Sequence, residues 1–191
     1  SWREVFTDPQ LQALIETGLD QNSVLRIARL RTKAAEATLL NARLSYLPSV
    51  SLNPEGEISY YDGATSKTYN LGSSASWEVD IFGKVTNAKR GAKAALEKSR
   101  AYTQAVQTQL VATIANSYYT LLTLDKQLSI NERTLGTWEK TVKTLEALKR
   151  AGGANDAAVL QARANRMTVE GSVLSIRKSI RETENTLSTL L

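Results

Sequence analysis

The chain has 191 residues, 42% of them hydrophobic and 23% charged, and a formal net charge of +5, a composition typical of folded proteins rather than disordered ones. It contains neither histidine nor cysteine, which excludes catalytic triads, disulfides and the common zinc sites, so we predict no enzyme activity and no cofactor or metal. Lysine and arginine are spread along predicted helices among acids and alanines, a pattern typical of solvated helix faces, so we predict no nucleic-acid partner.

Two helices are predicted before the first strand. Asp8-Pro9 is typical of a helix start, because a capping residue precedes a proline at the first helical position. We expect this helix to end near residues 18–20. A second helix should begin at Asn22-Ser23 and continue until Pro48 stops it.

Residues 49–61 and 69–81 alternate apolar and polar side chains, which predicts the two strands of a β-hairpin. Successive side chains on a strand point to opposite faces, so each strand has one apolar and one polar face. A turn over residues 62–67 would place Tyr60 opposite Tyr69. The predicted apolar face consists of Val50, Leu52, Ile58, Tyr60, Tyr69, Leu71, Trp77, Val79 and Ile81. The acidic residues of the predicted polar face are Glu55, Glu57, Glu78 and Asp80.

This hairpin pattern fits two kinds of structure. A tilted membrane-spanning strand needs roughly 9 to 11 residues, and aromatic residues near both ends of the hairpin are typical of a transmembrane β-barrel. The alternative is a soluble amphipathic hairpin that packs on helices. A lone hairpin would leave two strand edges without partners in lipid. The membrane interpretation therefore requires strands from other copies or from a longer polypeptide.

A single very long helix is predicted after the hairpin. From about Val85 to Arg150 there is no proline and no cluster of turn residues, so the helix would have about 66 residues and a length on the order of 100 Å. From Leu121 the apolar positions step by three and four, the spacing of a coiled-coil seam. Asn131 is a polar seam residue of the kind that fixes register. The seam comprises Leu121, Leu124, Leu128, Asn131, Leu135, Trp138, Val142 and Leu145.

A short turn and a returning helix follow. A glycine at 152 or 153 suits a left-handed helix cap, and Asn155 can cap the next helix through its side chain. The final helix should start at Asp156 and carry a second seam, formed by Val173, Ile176, Ile180, Thr183, Leu187 and Leu190. Two seams joined by a short turn predict an antiparallel helical hairpin. The predicted fold class is therefore mainly α with one β-hairpin.

Several stretches, in order, resemble one known family. Residues 71–84, which include Ser76-Trp77-Glu78-Val79-Asp80-Ile81-Phe82-Gly83, resemble the "SWExDxFG" stretch of the outer membrane efflux protein family, the TolC-type exit ducts of Gram-negative bacteria. Residues 2–19 are similar to the start of that family, and residues 44–50 to its lead into the first strand. Ala151-Gly152 with residues 159–162 resembles its helix-tip motif.

The resemblance implies a homotrimeric duct that lies in the outer membrane and has a long periplasmic extension. Its β-barrel would contact outer-membrane lipid, and a helical barrel would run from it towards a periplasmic adaptor and an inner-membrane pump. This chain would be the first of two repeats in each protomer. Its parts would be equatorial helices (1–47), a barrel hairpin (48–82), a long periplasmic helix (84–150), a tip turn (151–155) and a returning helix (156–191).

The same resemblance gives roles to the predicted faces. The apolar face of the hairpin would face lipid, and the four acidic residues of its polar face would line a water-filled lumen. The adaptor would contact the tip at Gly152, Gly153, Ala154, Asn155 and Asp156. The alternative function is a soluble coiled-coil scaffold or the α-hairpin of a periplasmic adaptor, although the β-rich half-motifs expected to flank an adaptor hairpin are not found in this sequence.

Overall fold

The structure is a computed structural model that describes residues 2–191, with Tyr61 described by its backbone alone. It confirms the predicted fold class of long helices with one β-hairpin and adds a short helix at the start. The elements in chain order are α1 (Trp2–Val5), α2 (Pro9–Gln21), α3 (Ser23–Leu44), β1 (Ser49–Tyr61), β2 (Ala64–Ser76), α4 (Lys84–Arg150) and α5 (Asp156–Leu190). The chain divides into two compact units, one formed by the residues up to Leu25 together with Val106–Leu191 and the other by Arg26–Ala105.

In the first unit, α2 begins as predicted. The carboxylate of Asp8 accepts a hydrogen bond from the backbone N–H of Gln10 at 2.9 Å, and Pro9 is the first helical residue. Leu11 and Ile15, one helical turn apart, are fully buried together with Leu25. These side chains form one core with residues of α4 and α5, namely Leu110, Val111, Ile114, Ala115, Tyr118 and Leu187.

Gly18 continues the buried face of α2 and allows a close approach to α4. A Cβ atom at this position would lie 2.5 Å from Cδ1 of the fully buried Ile114. Atoms cannot approach so closely without displacement, and a displaced side chain in a packed core is destabilising. Glycine is therefore the residue that fits between the two helices here.

The C-terminal part of α4 and α5 form the predicted antiparallel pair. All the predicted seam positions of both helices are buried or half-buried. Across the seam, Arg177 forms an ion pair with Glu132 and Arg163 one with Glu146. The predicted role of Asn131 in fixing register is not supported, because its amide donates to the carbonyl of Gln127 in its own helix at 2.9 Å. The exposed carbonyl one turn away offers that amide a local partner.

The second unit contains the hairpin and the helical residues on either side of it. Leu39 of α3 and Leu96 of α4 are buried here. The hydroxyl of Thr32 lies 3.0 Å from both the Ser99 and the Thr103 hydroxyl, which bonds the two helices through polar contacts. The helix α3 was expected to continue up to Pro48, but it ends at Leu44, four residues before that proline.

The hairpin is tighter than predicted. The strands are joined by the two residues Asp62 and Gly63, with φ of 49° and 79°, which is the backbone of a type I′ turn. The predicted turn over residues 62–67 was therefore wrong. Tyr60 pairs with Thr65 rather than with Tyr69. The register shift is four residues, and because side chains alternate with a period of two, an even shift leaves each side chain on its predicted face.

Candidate functional site

The two faces of the hairpin differ in chemistry. On the polar face, Ser51 pairs with Ser74 and their hydroxyls lie 2.8 Å apart. Glu55 and Glu57 are on the same face, where Glu55 opposes Asn70. The apolar face carries six of the nine residues predicted for it, namely Val50, Leu52, Ile58, Tyr60, Tyr69 and Leu71.

The apolar face of the hairpin is uncovered. Each of those six side chains is at least 67% exposed, and within the part of the chain that the structure describes β1 and β2 pair only with each other. Over Gly56 the ring of Tyr69 lies within van der Waals reach, with Cδ1 at 3.5 Å from the position a Cβ would take. The tyrosine thus covers the one gap that the glycine leaves on this face. A soluble hairpin that packs on helices of its own chain is not what the structure shows.

The second strand ends earlier than predicted, and this changes the position of five predicted site residues. It ends at Ser76, so the prediction of a strand extending to residue 81 was wrong. The residues left outside the strand are Trp77, Val79 and Ile81 of the predicted apolar face and Glu78 and Asp80 of the predicted polar face. In the observed register Ser76 pairs with Ser49, the first residue of β1, so residues 77–81 have no opposing strand.

The residues that follow β2 form a local hydrogen-bond network centred on Asp80, which caps α4. Its two carboxylate oxygens accept hydrogen bonds from the backbone N–H groups of Val85 (2.9 Å) and Thr86 (2.8 Å) and from the Thr86 hydroxyl (2.6 Å). The hydroxyl hydrogen bond is the main reason why the pKa of Asp80 lies below its ordinary value. Glu78 forms an ion pair with Lys84 at 2.8 Å. These carboxylates therefore bind the start of α4 rather than a strand face.

The sequence contains signals for both features of the hairpin that the alternation pattern missed. Asp62-Gly63 is one of the dipeptides most typical of a two-residue hairpin turn, because both positions require positive φ. An aspartate shortly before a helix start can accept hydrogen bonds from the free N–H groups of the first turn, although the usual capping residue stands directly before the helix. The alternation of apolar and polar residues continues past Ser76 to residue 81, and it therefore predicted a second strand that ends later than β2 does.

The tip between α4 and α5 has the predicted geometry. Gly152 has a φ of +76°, and its N–H donates to the Lys149 carbonyl while the N–H of Gly153 donates to the Leu148 carbonyl. These two bonds define a Schellman motif, which satisfies the last carbonyls of a helix. Asn155 then caps α5 by accepting from the backbone N–H of Ala158 at 2.9 Å. Ala154 lies between the two caps.

Charged side chains surround this tip. Asp156 in the first turn of α5 forms an ion pair with Lys149 in the last turn of α4. Glu146 accepts two hydrogen bonds from the Arg163 guanidinium, at 2.5 and 3.1 Å, and this contact holds the pKa of Glu146 below its ordinary value. The tip is therefore a compact, exposed turn with defined backbone geometry and paired charges.

Over the described residues 2–191, none of the helices is both long enough and apolar enough to cross a membrane. The same part of the chain has no cluster of acidic side chains that could hold a metal ion.

Comparison with known sequences gives one family. The sequence model of the outer membrane efflux proteins matches residues 14–191. The cation efflux system protein CusC of Escherichia coli O157:H7 is 28% identical over 195 residues, which cover all of this chain and 42% of CusC. The probable efflux pump outer membrane protein TtgC of Pseudomonas putida is 31% identical over 203 residues, which cover all of this chain and 41% of TtgC. The chain thus spans less than half the length of these relatives.

Solved structures agree with the sequence comparison. A CusC crystal structure superimposes with a TM-score of 0.87 at 26% identity and covers all of this chain and 45% of that one. The outer membrane protein VceC of Vibrio cholerae gives a TM-score of 0.82 at 26% identity, with 99% of this chain and 48% of VceC covered. The long helical hairpin and the β-hairpin therefore belong to one known fold.

Proposed function

The chain belongs to the outer membrane efflux protein family, whose location is the outer membrane, and we propose that it supplies one repeat of a passive exit duct for small solutes. The complete protein would be a homotrimer built from protomers with two such repeats. It would perform no chemistry of its own, because an inner-membrane pump would supply the energy and a periplasmic adaptor would link the pump to the duct.

The uncovered apolar face of the hairpin is the observation that carries this proposal. Six large apolar side chains on one face of a strand pair are too many to leave in water without a partner. Lipid can cover such a face without a cost in free energy, provided that other strands form hydrogen bonds with the backbone groups at the hairpin edges. The proposed lipid-facing residues are Val50, Leu52, Ile58, Tyr60, Tyr69 and Leu71.

The opposite face of the hairpin would line the water-filled interior of the barrel. Glu55 and Glu57 lie there among serines, asparagine and threonine, so the wall would be polar and would favour cations over anions. Glu78 and Asp80 are excluded from the proposed lining because they bind Lys84 and the start of α4.

A matched pair of arginine variants tests the hairpin assignment. Leu71→Arg would place a charge on the lipid face and should cost about 2–4 kcal/mol near the bilayer midplane. Asn70→Arg, one residue earlier, points to the opposite face and should assemble normally. The measurement is the amount of folded trimer in outer membranes, together with solute accumulation in cells that lack other ducts. Equal assembly and export by both variants would rule out a lipid-facing role for Leu71.

We further propose that the tip at Gly152, Gly153, Ala154, Asn155 and Asp156 contacts the adaptor. The support is the exposed turn at the end of a long helical hairpin, whose backbone is held by two caps and which has one charge of the Lys149–Asp156 pair on either side. The double variant Lys149→Glu/Asp156→Lys keeps the ion pair within the chain but reverses the charges presented to a partner. It should lower export at unchanged protein level.

The control for the tip exchanges a pair of the same kind that lies farther along the hairpin. Glu132→Arg/Arg177→Glu also reverses a single ion pair, and it should leave export unchanged. If the tip double variant exports as well as the unmodified protein, docking does not involve these charges.

A further inference from the structure

The pair of helices α4 and α5 has a fixed antiparallel register on one of its sides. Arg177 binds Glu132 at 2.8 Å and Arg163 binds Glu146 at 2.5 Å. The two glutamates are fourteen residues apart, and so are the two arginines, which is two heptads of a coiled coil. On this side of the seam, a residue of α4 therefore faces the residue of α5 for which the two residue numbers add up to 309.

The heptad between these ion pairs holds two acids. Glu139 of α4 faces Glu170 of α5, and Glu170 turns away to bind Arg166 of its own helix at 3.3 Å. We call this side the charged flank; it comprises Glu132, Glu139, Glu146, Arg163, Glu170 and Arg177. The structure has a groove here, lined by Glu132, Leu135, Gly136, Glu139, Glu170, Val173, Leu174 and Arg177.

The other side of the same seam carries no charge at the facing positions. Numbers that add up to 306 pair Thr120 with Thr186, Gln127 with Ser179, Thr134 with Ser172, and Thr141 with Asn165, again at intervals of seven along each helix. These eight residues are the neutral flank. A groove also runs along its end far from the tip. Seven of its nine lining residues carry a hydroxyl or an amide, namely Thr113, Asn116, Ser117, Thr120, Ser179, Thr183 and Thr186, and the other two are Leu124 and Glu182.

Four of the six hydroxyls of the neutral flank, those of Thr134, Thr141, Ser172 and Thr186, are bonded within their own helices. Thr134 donates to the carbonyl of residue 130 at 2.9 Å, Ser172 to that of residue 168 at 3.1 Å and Thr186 to that of residue 182 at 2.9 Å. A hydroxyl has one proton to donate. Once that proton is bonded to a backbone carbonyl, the hydroxyl oxygen can act towards solvent only as a weak acceptor. The surface is wettable and offers a passing solute no charge at these positions, and its donors include the uncharged side-chain amides of Gln127 and Asn165.

A third side of α5 is apolar. Leu160, Met167 and Leu174 follow each other at intervals of seven and are each at least 62% exposed, with the small residues Ala164 and Gly171 between them. At 3.6 residues per turn each of these residues lies about 100° from the seam position that precedes it, so the stripe borders the charged flank, whose groove Leu174 also lines. In a wall of side-by-side helices, it is the side suited to the next helix, and the two flanks are left to face the two surfaces of the wall.

We infer that the neutral flank lines the interior of the duct and that the charged flank faces outward. This inference rests on the proposed function. A passage that releases solutes of different kinds needs a wall that binds each of them weakly, and the neutral flank meets this requirement. The charged flank holds ion pairs and two facing acids, which would retain charged solutes at each heptad.

Two cysteine variants of the full-length protein test which flank faces the interior. The chain has no cysteine of its own, so Ser172→Cys and Glu170→Cys introduce single thiols, once any cysteine elsewhere in the protein has been replaced. The two positions are neighbours on α5 but lie on opposite flanks. Each protein is labelled with a maleimide polyethylene glycol, labelling is checked by mass, and channel conductance is measured in planar bilayers.

Attached polymer should lower the conductance of Ser172→Cys several-fold and leave that of Glu170→Cys unchanged. Block at Glu170→Cys alone, block at both positions, or complete labelling without block at either would overturn the inference. Failure of Ser172→Cys to react would overturn it as well, because a water-filled interior must admit the reagent. If the unmodified protein forms no channel, the proposed function itself fails, which is a separate result from a channel with the wrong flank inside.

A pair of charge variants provides a second measurement that needs no labelling. Ser172→Lys adds one positive charge and Glu170→Gln removes one negative charge, so each changes the net charge by +1 at nearly the same height. At about 0.01 M salt, where screening acts over roughly 30 Å, Ser172→Lys should shift the reversal potential towards anion preference and Glu170→Gln should not. A shift with Glu170→Gln alone would contradict the inference.

Discussion

The side chain of Asn22 joins two parts of the chain that are 168 positions apart. Its Nδ2 atom donates a hydrogen bond of 3.0 Å to the carbonyl oxygen of Leu190, in the last turn of α5. Its Oδ1 atom accepts from the backbone N–H of Leu25 at 3.0 Å, and its backbone N–H donates to the Gly18 carbonyl. One buried amide thus ends α2, caps α3 and ties both to the end of the chain described here.

Replacing Asn22 should therefore destabilise the first unit by more than the loss of an ordinary cap. Asn22→Ala removes the cap of α3 and leaves a carbonyl unpaired, for which we expect about 2–3 kcal/mol. Asn22→Asp keeps the acceptor for Leu25 but has no donor for Leu190, so it should restore only part of the loss. The measurement is urea unfolding followed by helical circular dichroism. An alanine variant within 0.5 kcal/mol of the unmodified chain, roughly the scatter of surface substitutions, would contradict this role.

The close approach at Gly18 gives a second prediction. Gly18→Ala should destabilise the chain by about 1–3 kcal/mol, because its Cβ would meet Cδ1 of Ile114 at 2.5 Å. Ile114→Val removes that atom, so the double variant should be more stable than the two single effects predict when added. In the same unfolding assay, Gly91→Ala is the control, since open space surrounds this helical glycine and alanine should stabilise it by up to about 1 kcal/mol. Simple additivity of the Gly18 and Ile114 changes would mean that they do not clash.

The contact between Tyr118 and Asp8 predicts a pH-dependent stability. The tyrosine hydroxyl donates to the carboxylate at 2.6 Å, and this bond is the main reason why the pKa of Asp8 is below its ordinary value of 3.8. A lowered pKa in the folded state means that the stabilisation is complete above pH 3.8 and is lost as the pH falls through the folded-state value.

We therefore expect Tyr118→Phe to be less stable than the unmodified chain at neutral pH and to approach it in acid. Unfolding midpoints measured across this range give the comparison. Tyr119→Phe is the neighbouring control and should show the same pH dependence as the unmodified chain. A stability difference for Tyr118→Phe that is constant down to the lowest pH would show that the hydroxyl does not act through Asp8.

The two glycines of the tip should respond differently to the same substitution. Gly152→Ala forces a side chain into the left-handed region, at about 1–2 kcal/mol, whereas Gly153→Ala meets only ordinary contacts with Leu148. Gly152→Asn should recover part of the loss, because asparagine tolerates this conformation better. Unfolding free energies of the three variants decide the matter, and equal values for the two alanine variants would count against the Schellman cap.

Local features of this protein could be predicted from the sequence because neighbouring residues determine them. Asp8 and Asn155 bond to backbone groups two or three positions away, and Gly152 occupies a conformation that few other residues adopt easily. The seams of α4 and α5, and the two faces of the hairpin as far as Ser76, follow from periods of three to four and of two and agree with the structure. The turn at Asp62-Gly63 is also a local feature, but the alternation pattern predicted a longer turn over residues 62–67.

Other features depended on tertiary structure. Alternation fixes which face a strand residue occupies but not its partner, so the register could be four residues off without any change of face. The same register ends β2 at Ser76, which faces the first residue of β1, and leaves Asp80 to bind the start of α4. The contacts of Asn22 with Leu190 and of Gly18 with Ile114 join residues far apart in sequence, and only the folded chain brings them together. The same holds for the charged and neutral flanks, because their chemistry depends on which residues of α4 and α5 face each other.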